Sequence, residues 1–405
     1  MAFSTISKKL TIELSKLDKK DQGIYFTPPS CVAKTLELIN IYMPNIYSIL
    51  EPSCGSCEYI CALQNKYPQK SIVGIEYNET IFKQIQHLST TESNTEIVCG
   101  DFLTMASQEG QSFDLIIGNP PYYVMKKELV DPLYYDYFEG RPNIFILFII
   151  KSLKLLSEGG ILSFVLPKSF LNCLYYDKTR KFIMDNYQIL HIVDCNDKYI
   201  ETQQKTILLI VRNIGNIDNT EFIMKLSNYT IFTTNENKQI IHQLYSNSRS
   251  LGDLGFNVRV GNIVWNQCKS ELTSDDTKTR LIYSSDIKDG QLISKPFKNI
   301  DKQQYINRPG ITRPMIVVNR GYGVGTYNFS FCLLNTNMEY LIENHLICIE
   351  YENENELISS EDLLDKYNKI IESFNDERTC QFIENYFGNS AINTNELKYI
   401  MPIYC

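Results

Sequence analysis

The sequence predicts an α/β fold, a doubly wound sheet of seven strands with helices on both faces, followed by a separate α+β domain. Two observations lead there. Short, continuous apolar runs alternate with stretches of helical period through residue 212, and from residue 251 the pattern breaks into shorter strand-like runs with Gly, Asn and Arg. Continuous apolar strands are the mark of a parallel sheet covered on both faces. At 405 residues the chain exceeds one typical domain. We expect the boundary near residue 245, giving domains 1–245 and 246–405.

Taken in order, Thr27-Pro28-Pro29-Ser30 reads as a loop entering a helix, with Ser30 as N-cap and Val32, Leu36 and Ile39 on its apolar face. Ser48 to Leu50 is the first strand, running into Glu51-Pro52-Ser53-Cys54-Gly55. Ile72 to Ile75 is the second, ending in Glu76, and Ile97 to Cys99 the third, ending in Gly100-Asp101-Phe102. Leu115 to Ile117 is the fourth, followed by Gly118-Asn119-Pro120-Pro121-Tyr122. A helix over Ile144–Leu156 leads through Gly159-Gly160 to a fifth strand, Ile161–Leu166. Ile189–Val193 and Thr206–Val211 complete the set. Residues 213–250 are rich in Asn, Thr and Ser, with a weak helical pattern at 239–244.

Composition excludes several classes. Hydrophobic residues make up 43% of the chain, too many for a disordered protein. The longest apolar run, Ile144–Ile150, is far below the ~20 residues of a membrane span. The first twenty residues are interrupted by lysines and carry no secretory pattern. An intracellular protein is expected, in the cytoplasm of a bacterium or inside an infected cell, with reduced thiols. Cys54, Cys57 and Cys61 form C-x₂-C-x₃-C, but no second ligand pair of matching spacing follows, so no metal is expected. The net charge of −8 argues against a protein that simply coats nucleic acid. Residues 251–330, however, carry 11 Lys+Arg against 7 Asp+Glu, whereas residues 331–405 carry 4 against 14. The basic block holds the candidates for DNA contact: Arg259, Trp265, Lys269, Arg308, Arg313, Arg320 and Tyr322.

The chemistry is expected at the carboxyl ends of the strands, where open α/β sheets bind ligands. Glu51, Glu76 and Asp101 stand at three successive strand ends. A pyrophosphate would sit badly among these carboxylates, and no G-x-G-x-x-G follows the first strand. A nucleoside with a positive charge fits: S-adenosylmethionine (SAM), with Glu76 on the ribose and Asp101-Phe102 on the adenine. On the fourth strand, two prolines make a rigid frame. It offers the Asn119 side-chain oxygen and the Pro120 carbonyl as paired acceptors, suited to an NH₂ group. Tyr122 adds a flat face for a planar ring.

With these motifs in the order FTPP, EPSCG, NPPY, the sequence resembles the gamma-class, TaqI-type adenine-N6 DNA methyltransferases of restriction–modification systems. The resemblance covers residues 21 to about 212, and NELKYIMPI near the chain end resembles the tail of that family's target-recognition domain. It implies a Rossmann-like SAM-dependent methyltransferase domain and a C-terminal target-recognition domain. It further implies that Phe26, Thr27 and Pro28 border the methionine moiety, and that Glu51, Pro52, Ser53 and Gly55 lie under it. Glu76 would hold the ribose, Asp101 and Phe102 the adenine, with Phe148 a further face. Asn119, Pro120 and Tyr122 would hold the target base, with Asn119 also touching the cofactor and Tyr199 stacking on the other face of the base. The implied reaction moves the methyl group from SAM to the amino group of an adenine flipped out of duplex DNA, leaving S-adenosylhomocysteine. A monomer is expected; where the system includes a cognate endonuclease, no direct contact with it is expected. Two positions depart from the family: Cys57 stands where a second glycine is common, and Tyr123 is a second tyrosine. Alternatives are methylation of RNA adenine-N6, of DNA cytosine-N4, where Ser or Asp more often replaces Asn119, or of a protein glutamine.

Overall fold

A computed structural model describes residues 3–15, 19, 22–90, 94–105, 110–195, 204–321, 327–352, 358–386 and 391–405. The chain divides into two compact units, residues 1–235 and 236–405.

In the first unit the strands are β1 (Ser48–Glu51), β2 (Ser71–Glu76), β3 (Thr95–Cys99), β4 (Phe113–Gly118), β5 (Leu156–Pro167), β6 (Gln188–Cys195) and β7 (Thr206–Arg212). They form one sheet in the order β3-β2-β1-β4-β5-β7-β6. β1 is parallel to β2 and β4, β4 to β5, and β7 lies antiparallel between β5 and β6. Strand order reverses between β1 and β4. That is the switch point at which a doubly wound sheet opens a crevice beyond its strand ends.

Alternate strand residues feed two cores, which is why the strands read as unbroken apolar runs. Leu50, Ile116 and Leu162 pack on one face with helices α5 (Ile144–Lys154) and α6 (Asp177–Asn186). Ile49, Leu115, Ile117 and Ile161 pack on the other with α1 (Thr5–Glu13), α2 (Pro29–Leu38), α3 (Glu58–Lys66) and α4 (Glu79–Ile85). No helix among the described residues is long and apolar enough to cross a membrane.

Three local expectations are corrected, and one hairpin is added. α2 starts at Pro29, with Pro28 as its N-cap, so Ser30 lies in the first turn. A proline suits that first helical position because its φ is already helical. β5 begins at Leu156 and runs through Gly159-Gly160 rather than starting after them. At Gly160 a Cβ would stand 2.9 Å from the Ser157 carbonyl oxygen and 3.0 Å from that of Phe113. An unexpected antiparallel hairpin, Ile223–Leu226 with Tyr229–Phe232, joins the first unit. It is held by buried Arg180, whose Nε donates to the Thr230 carbonyl, and by Asp177, which accepts from the Thr230 N–H at 2.6 Å. The helix Asn235–Tyr245, expected before the domain boundary, falls almost wholly in the second unit. There the Tyr404 hydroxyl donates to the Leu244 carbonyl at 2.6 Å and the Tyr245 ring packs on Phe382.

The second unit is α+β. One four-stranded sheet runs Phe256–Val260, Leu346–Tyr351, Met315–Asn319, Phe331–Leu334, all antiparallel. A second runs Leu272–Thr273, Tyr305–Ile306, Thr279–Ile282, Tyr340–Ile342. The helices Ser360–Phe374, Glu377–Tyr386 and Thr394–Tyr399 follow.

Candidate active site

Loops leaving β1, β2, β3 and β4 open a single cleft. Phe26, Pro52, Ser53, Gly55, Glu76, Asp101, Phe102, Asn119 and Phe148 line it, as expected residues do, and Tyr25, Tyr77, Leu103, Tyr123 and Met125 join them. Thr27, Pro28, Glu51 and Pro120 are buried and outside the lining. The second tyrosine, Tyr123, is therefore a wall of the cleft.

The β1 loop turns twice through left-handed backbone, at Gly55 (φ 51°) and at Cys57 (φ 61°). Cys57 is fully buried and is the N-cap of α3, so a cysteine occupies a conformation that favours glycine. The turn aims the Gly55 N–H at Glu76 Oε2 (2.8 Å), while the Asn78 N–H donates to Glu76 Oε1 (2.7 Å). Glu76 is thus fixed at both oxygens by backbone donors. Burial pushes its pKa up to about 7, against the lowering effect of hydrogen bonds from Asn78, Gly55 and Tyr77.

At the end of β3, Asp101 Oδ1 accepts from the Leu103 N–H at 2.9 Å. The Phe102 and Phe148 rings lie 5.2 Å apart. Lys151, on α5, fastens this loop: its ammonium donates to the carbonyls of Phe102 (2.6 Å), Leu103 (3.3 Å) and Met105 (2.7 Å). Sequence reading missed Lys151, since a lysine on a helix gives no sign of the carbonyls it will meet.

At the end of β4, the Asn119 carboxamide is held on both sides. Its Nδ2 donates to the Tyr25 carbonyl at 3.1 Å, and its Oδ1 faces the Tyr122 hydroxyl. A carbonyl can only accept, so the Tyr25 oxygen selects the NH₂ side and fixes which way the amide points. The Tyr122 hydroxyl has a second acceptor, the Val165 carbonyl at 2.8 Å. Its ring stands edge-on to Phe145, 6.0 Å away, and at 29° to Tyr25, 6.3 Å away.

Below the cleft, Glu51 tests whether a cationic nucleoside suits these residues. Its Oε2 is buried without a hydrogen-bond partner among the described residues. Burial first, then the neighbouring Cys57, Glu76 and Glu58, hold its pKa well above the usual carboxylate range, with a backbone hydrogen bond involving Ile60 opposing. A positive charge nearby would relieve that cost. Beside the pinned Glu76 and the Phe102–Phe148 pair, the set fits SAM: carboxylates for ribose and cation, aromatic faces for adenine.

Such a sheet, with this cleft at its switch point, is that of a SAM-dependent methyltransferase. Residues 9–200 match the family model described as Eco57I restriction-modification methylase. The chain is 28% identical, over 99% of each sequence, to the Type II methyltransferase M.CvrRI of Paramecium bursaria Chlorella virus XZ-6E. It is 28% identical to the modification methylase CviBIII of Paramecium bursaria Chlorella virus NC1A, over 86% of this chain and 88% of that one. Among solved structures, the DrdV–DNA complex shares the fold with a TM-score of 0.51 at 12% identity, covering 93% of this chain and 54% of that one. Over these spans the chain is similar to restriction–modification methyltransferases.

In the second unit, four cations expected to face DNA are engaged with carboxylates. Arg259 and Arg313 both clasp the buried Glu350. Arg308 pairs with Glu271, and Lys269 with Asp301 at 2.6 Å. The half-buried Trp265 ring carries the ammonium groups of Lys302 (5.0 Å) and Lys269 (5.7 Å). Arg320, half-buried at the end of its strand, is held through its backbone to His345 and Ile392. Tyr199 and Tyr322 lie outside the described residues.

Proposed function

We propose that the protein is a gamma-class, site-specific DNA methyltransferase that acts on the N6 amino group of a flipped-out adenine in duplex DNA. The observation that carries this is the Asn119 carboxamide, oriented by the Tyr25 carbonyl and set on the rigid Pro120-Pro121 frame beside the cofactor cleft. The target's amino group is unreachable inside a base stack, so the base must leave the helix. The similarity to the two viral methyltransferases over 99% and 86% of this chain supports a second unit shared with them, to which we assign target recognition.

Bound SAM supplies an electrophilic methyl group on its sulfonium. Around it, Glu76 would hold the ribose hydroxyls, Asp101 with Phe102 and Phe148 the adenine, and Glu51 would offset the positive charge. Asn119 Oδ1 and the Pro120 carbonyl accept the two amino protons of the target. Both acceptors withdraw the nitrogen lone pair from the ring and leave it directed at the methyl. The Tyr122 hydroxyl can turn its proton from Asn119 to the Val165 carbonyl, so that Oδ1 is free to accept as the amino group arrives. Catalysis then rests on positioning and electrostatics. The products would be N6-methyladenine, S-adenosylhomocysteine and one proton lost from the methylated amino group.

The test is incubation with tritiated SAM and unmethylated duplex DNA, followed by nucleoside chromatography. Label in N6-methyladenine is expected, and Asn119→Ala should lose it while still binding SAM. Label in N4-methylcytosine would replace the base, and label only on RNA or on a protein glutamine would replace the substrate.

A further inference from the structure

Residues 22–26 form a strap along one wall of the cleft, leaving a turn at Gly23 and continuing through Thr27 and Pro28 to the start of α2. The strap is tied both to the cofactor loops and to the catalytic loop. On the cofactor side, Gln22 Oε1 accepts from Asn78 Nδ2 at 2.9 Å. Asn78 is itself held by further hydrogen bonds: its Oδ1 caps α4 through the Thr80 and Ile81 N–H groups, and its own N–H donates to Glu76. The latch therefore sits on a residue two positions from, and bonded to, the carboxylate assigned to the ribose. Phe26 completes this side, with its ring 3.8 Å from where a Cβ on Gly55 would stand.

On the catalytic side the strap touches the Asn-Pro-Pro-Tyr loop twice. Gly23 has φ 63°, and a Cβ there would stand 2.5 Å from the Tyr122 nitrogen, so no other residue permits so close an approach. Two residues on, the Tyr25 carbonyl accepts from Asn119 Nδ2. Without that acceptor only the Tyr122 hydroxyl faces the amide, and a hydroxyl can donate or accept, so nothing selects which side of the amide is the oxygen. The acceptor on which transfer depends is thus oriented by a backbone atom whose position depends on the seating of the strap, and the strap is seated by the cofactor loops.

We propose that the strap couples the two sites: cofactor bound against it fixes Asn119 for the target base, and Gln22 and Gly23 are positioning residues for this coupling. The inference rests on the DNA-adenine reading above. Coupling of binding free energies is reciprocal, so a bound target must tighten the cofactor by the same factor.

The experiment uses the full chain and sinefungin, a SAM analogue with no methyl group to transfer. Its dissociation constant is measured by calorimetry with protein alone and with protein saturated by a duplex carrying the site that the wild type methylates, located by sequencing. For the wild type, DNA should tighten sinefungin about tenfold. Gln22→Leu, similar in size but without the acceptor, should bring that ratio to about one and lower kcat more than it raises KM for SAM. Gln22→Glu keeps an acceptor oxygen and should restore the ratio. Gly23→Ala, if it folds, should behave as Gln22→Leu. A ratio in Gln22→Leu equal to that of the wild type, or a wild-type ratio of one, overturns the coupling. A wild type that binds sinefungin but labels no DNA sinks the target reading and the coupling with it. Labelled DNA with an unchanged ratio sinks the coupling alone.

Discussion

Between pH 8 and pH 6, cofactor binding should weaken about tenfold through one residue, Glu76. Its carboxyl is buried at the end of β2, and burial raises its pKa to about 7. At pH 8 about nine-tenths of the molecules then carry the carboxylate, and at pH 6 about one-tenth. Only the carboxylate offers both oxygens as acceptors to two ribose hydroxyls, because the acid form turns one of them into a donor. If the ionised form alone binds, the loss is about 1.4 kcal/mol, and close to one proton is released per cofactor at pH 6. Calorimetry in buffers of different ionisation enthalpy reads both quantities. A steeper dependence, approaching two protons, would bring in Glu51, whose pKa burial also raises. The linked effect on stability has the opposite direction. A carboxyl with a raised folded pKa contributes stability that is fully present below its unfolded pKa and lost as pH rises through about 7. Cofactor-free protein should therefore lose stability over the same window in which cofactor affinity grows. Glu76→Gln should flatten the Glu76 part of both profiles, and titration of the cofactor itself is common to both proteins. A variant that keeps the wild-type difference between pH 6 and pH 8 would refute the assignment of Glu76 to the ribose.

Three further outcomes follow from contacts already described. Tyr122→Phe keeps the ring but removes the hydroxyl shared between Asn119 and Val165, and single-turnover rates should fall about tenfold at unchanged SAM affinity. Tyr122→Ala should fall further, by the ~1–3 kcal/mol of a lost stacking face. Lys151→Met releases three carbonyls of the loop bearing Asp101 and Phe102, so steady-state kinetics should show a KM for SAM raised about tenfold with kcat nearly intact. Replacing Arg259 and Arg313 together by Ala leaves Glu350 as a buried, uncompensated charge, which should cost about 3–5 kcal/mol in urea unfolding, against about 1 kcal/mol for either alone. Unchanged urea curves with lost DNA binding would instead make these arginines DNA readers.

The features legible in the sequence share a physical cause. The inner strands β1, β4 and β7 and the later part of β5 bury both faces, so they read as nearly unbroken apolar runs, and the residues at the strands' carboxyl ends are neighbours because the sheet makes them so. Glu76, Asp101, Phe102 and Asn119 all line the cleft for that reason. What stayed hidden depends on partners distant in the chain. The aim of the Asn119 amide is set by a carbonyl 94 positions earlier. The hairpin at Ile223–Phe232 is anchored by Arg180, 50 positions before Thr230. The left-handed backbone at Cys57 cannot be read from the cysteine itself, and only the resemblance, in which a glycine is common there, pointed to it.

Charge counted along the chain differs from charge in space. The block 251–330 is basic when its own residues are counted, yet the carboxylate that neutralises Arg259 is Glu350, 91 positions further on and inside the acidic stretch. The two segments of opposite sign are therefore partly each other's counter-ions, brought together when the strand Leu346–Tyr351 pairs with Phe256–Val260 and Met315–Asn319. A run of basic residues argues for phosphate contacts only after its carboxylates have been subtracted in space. In this chain that subtraction removes Arg259, Arg313, Arg308 and Lys269 as free cations. An arginine held this way can still read a base if DNA displaces its carboxylate, but binding must then cover the cost of breaking the pair. Such a contact would favour selectivity for the right site over affinity for any DNA.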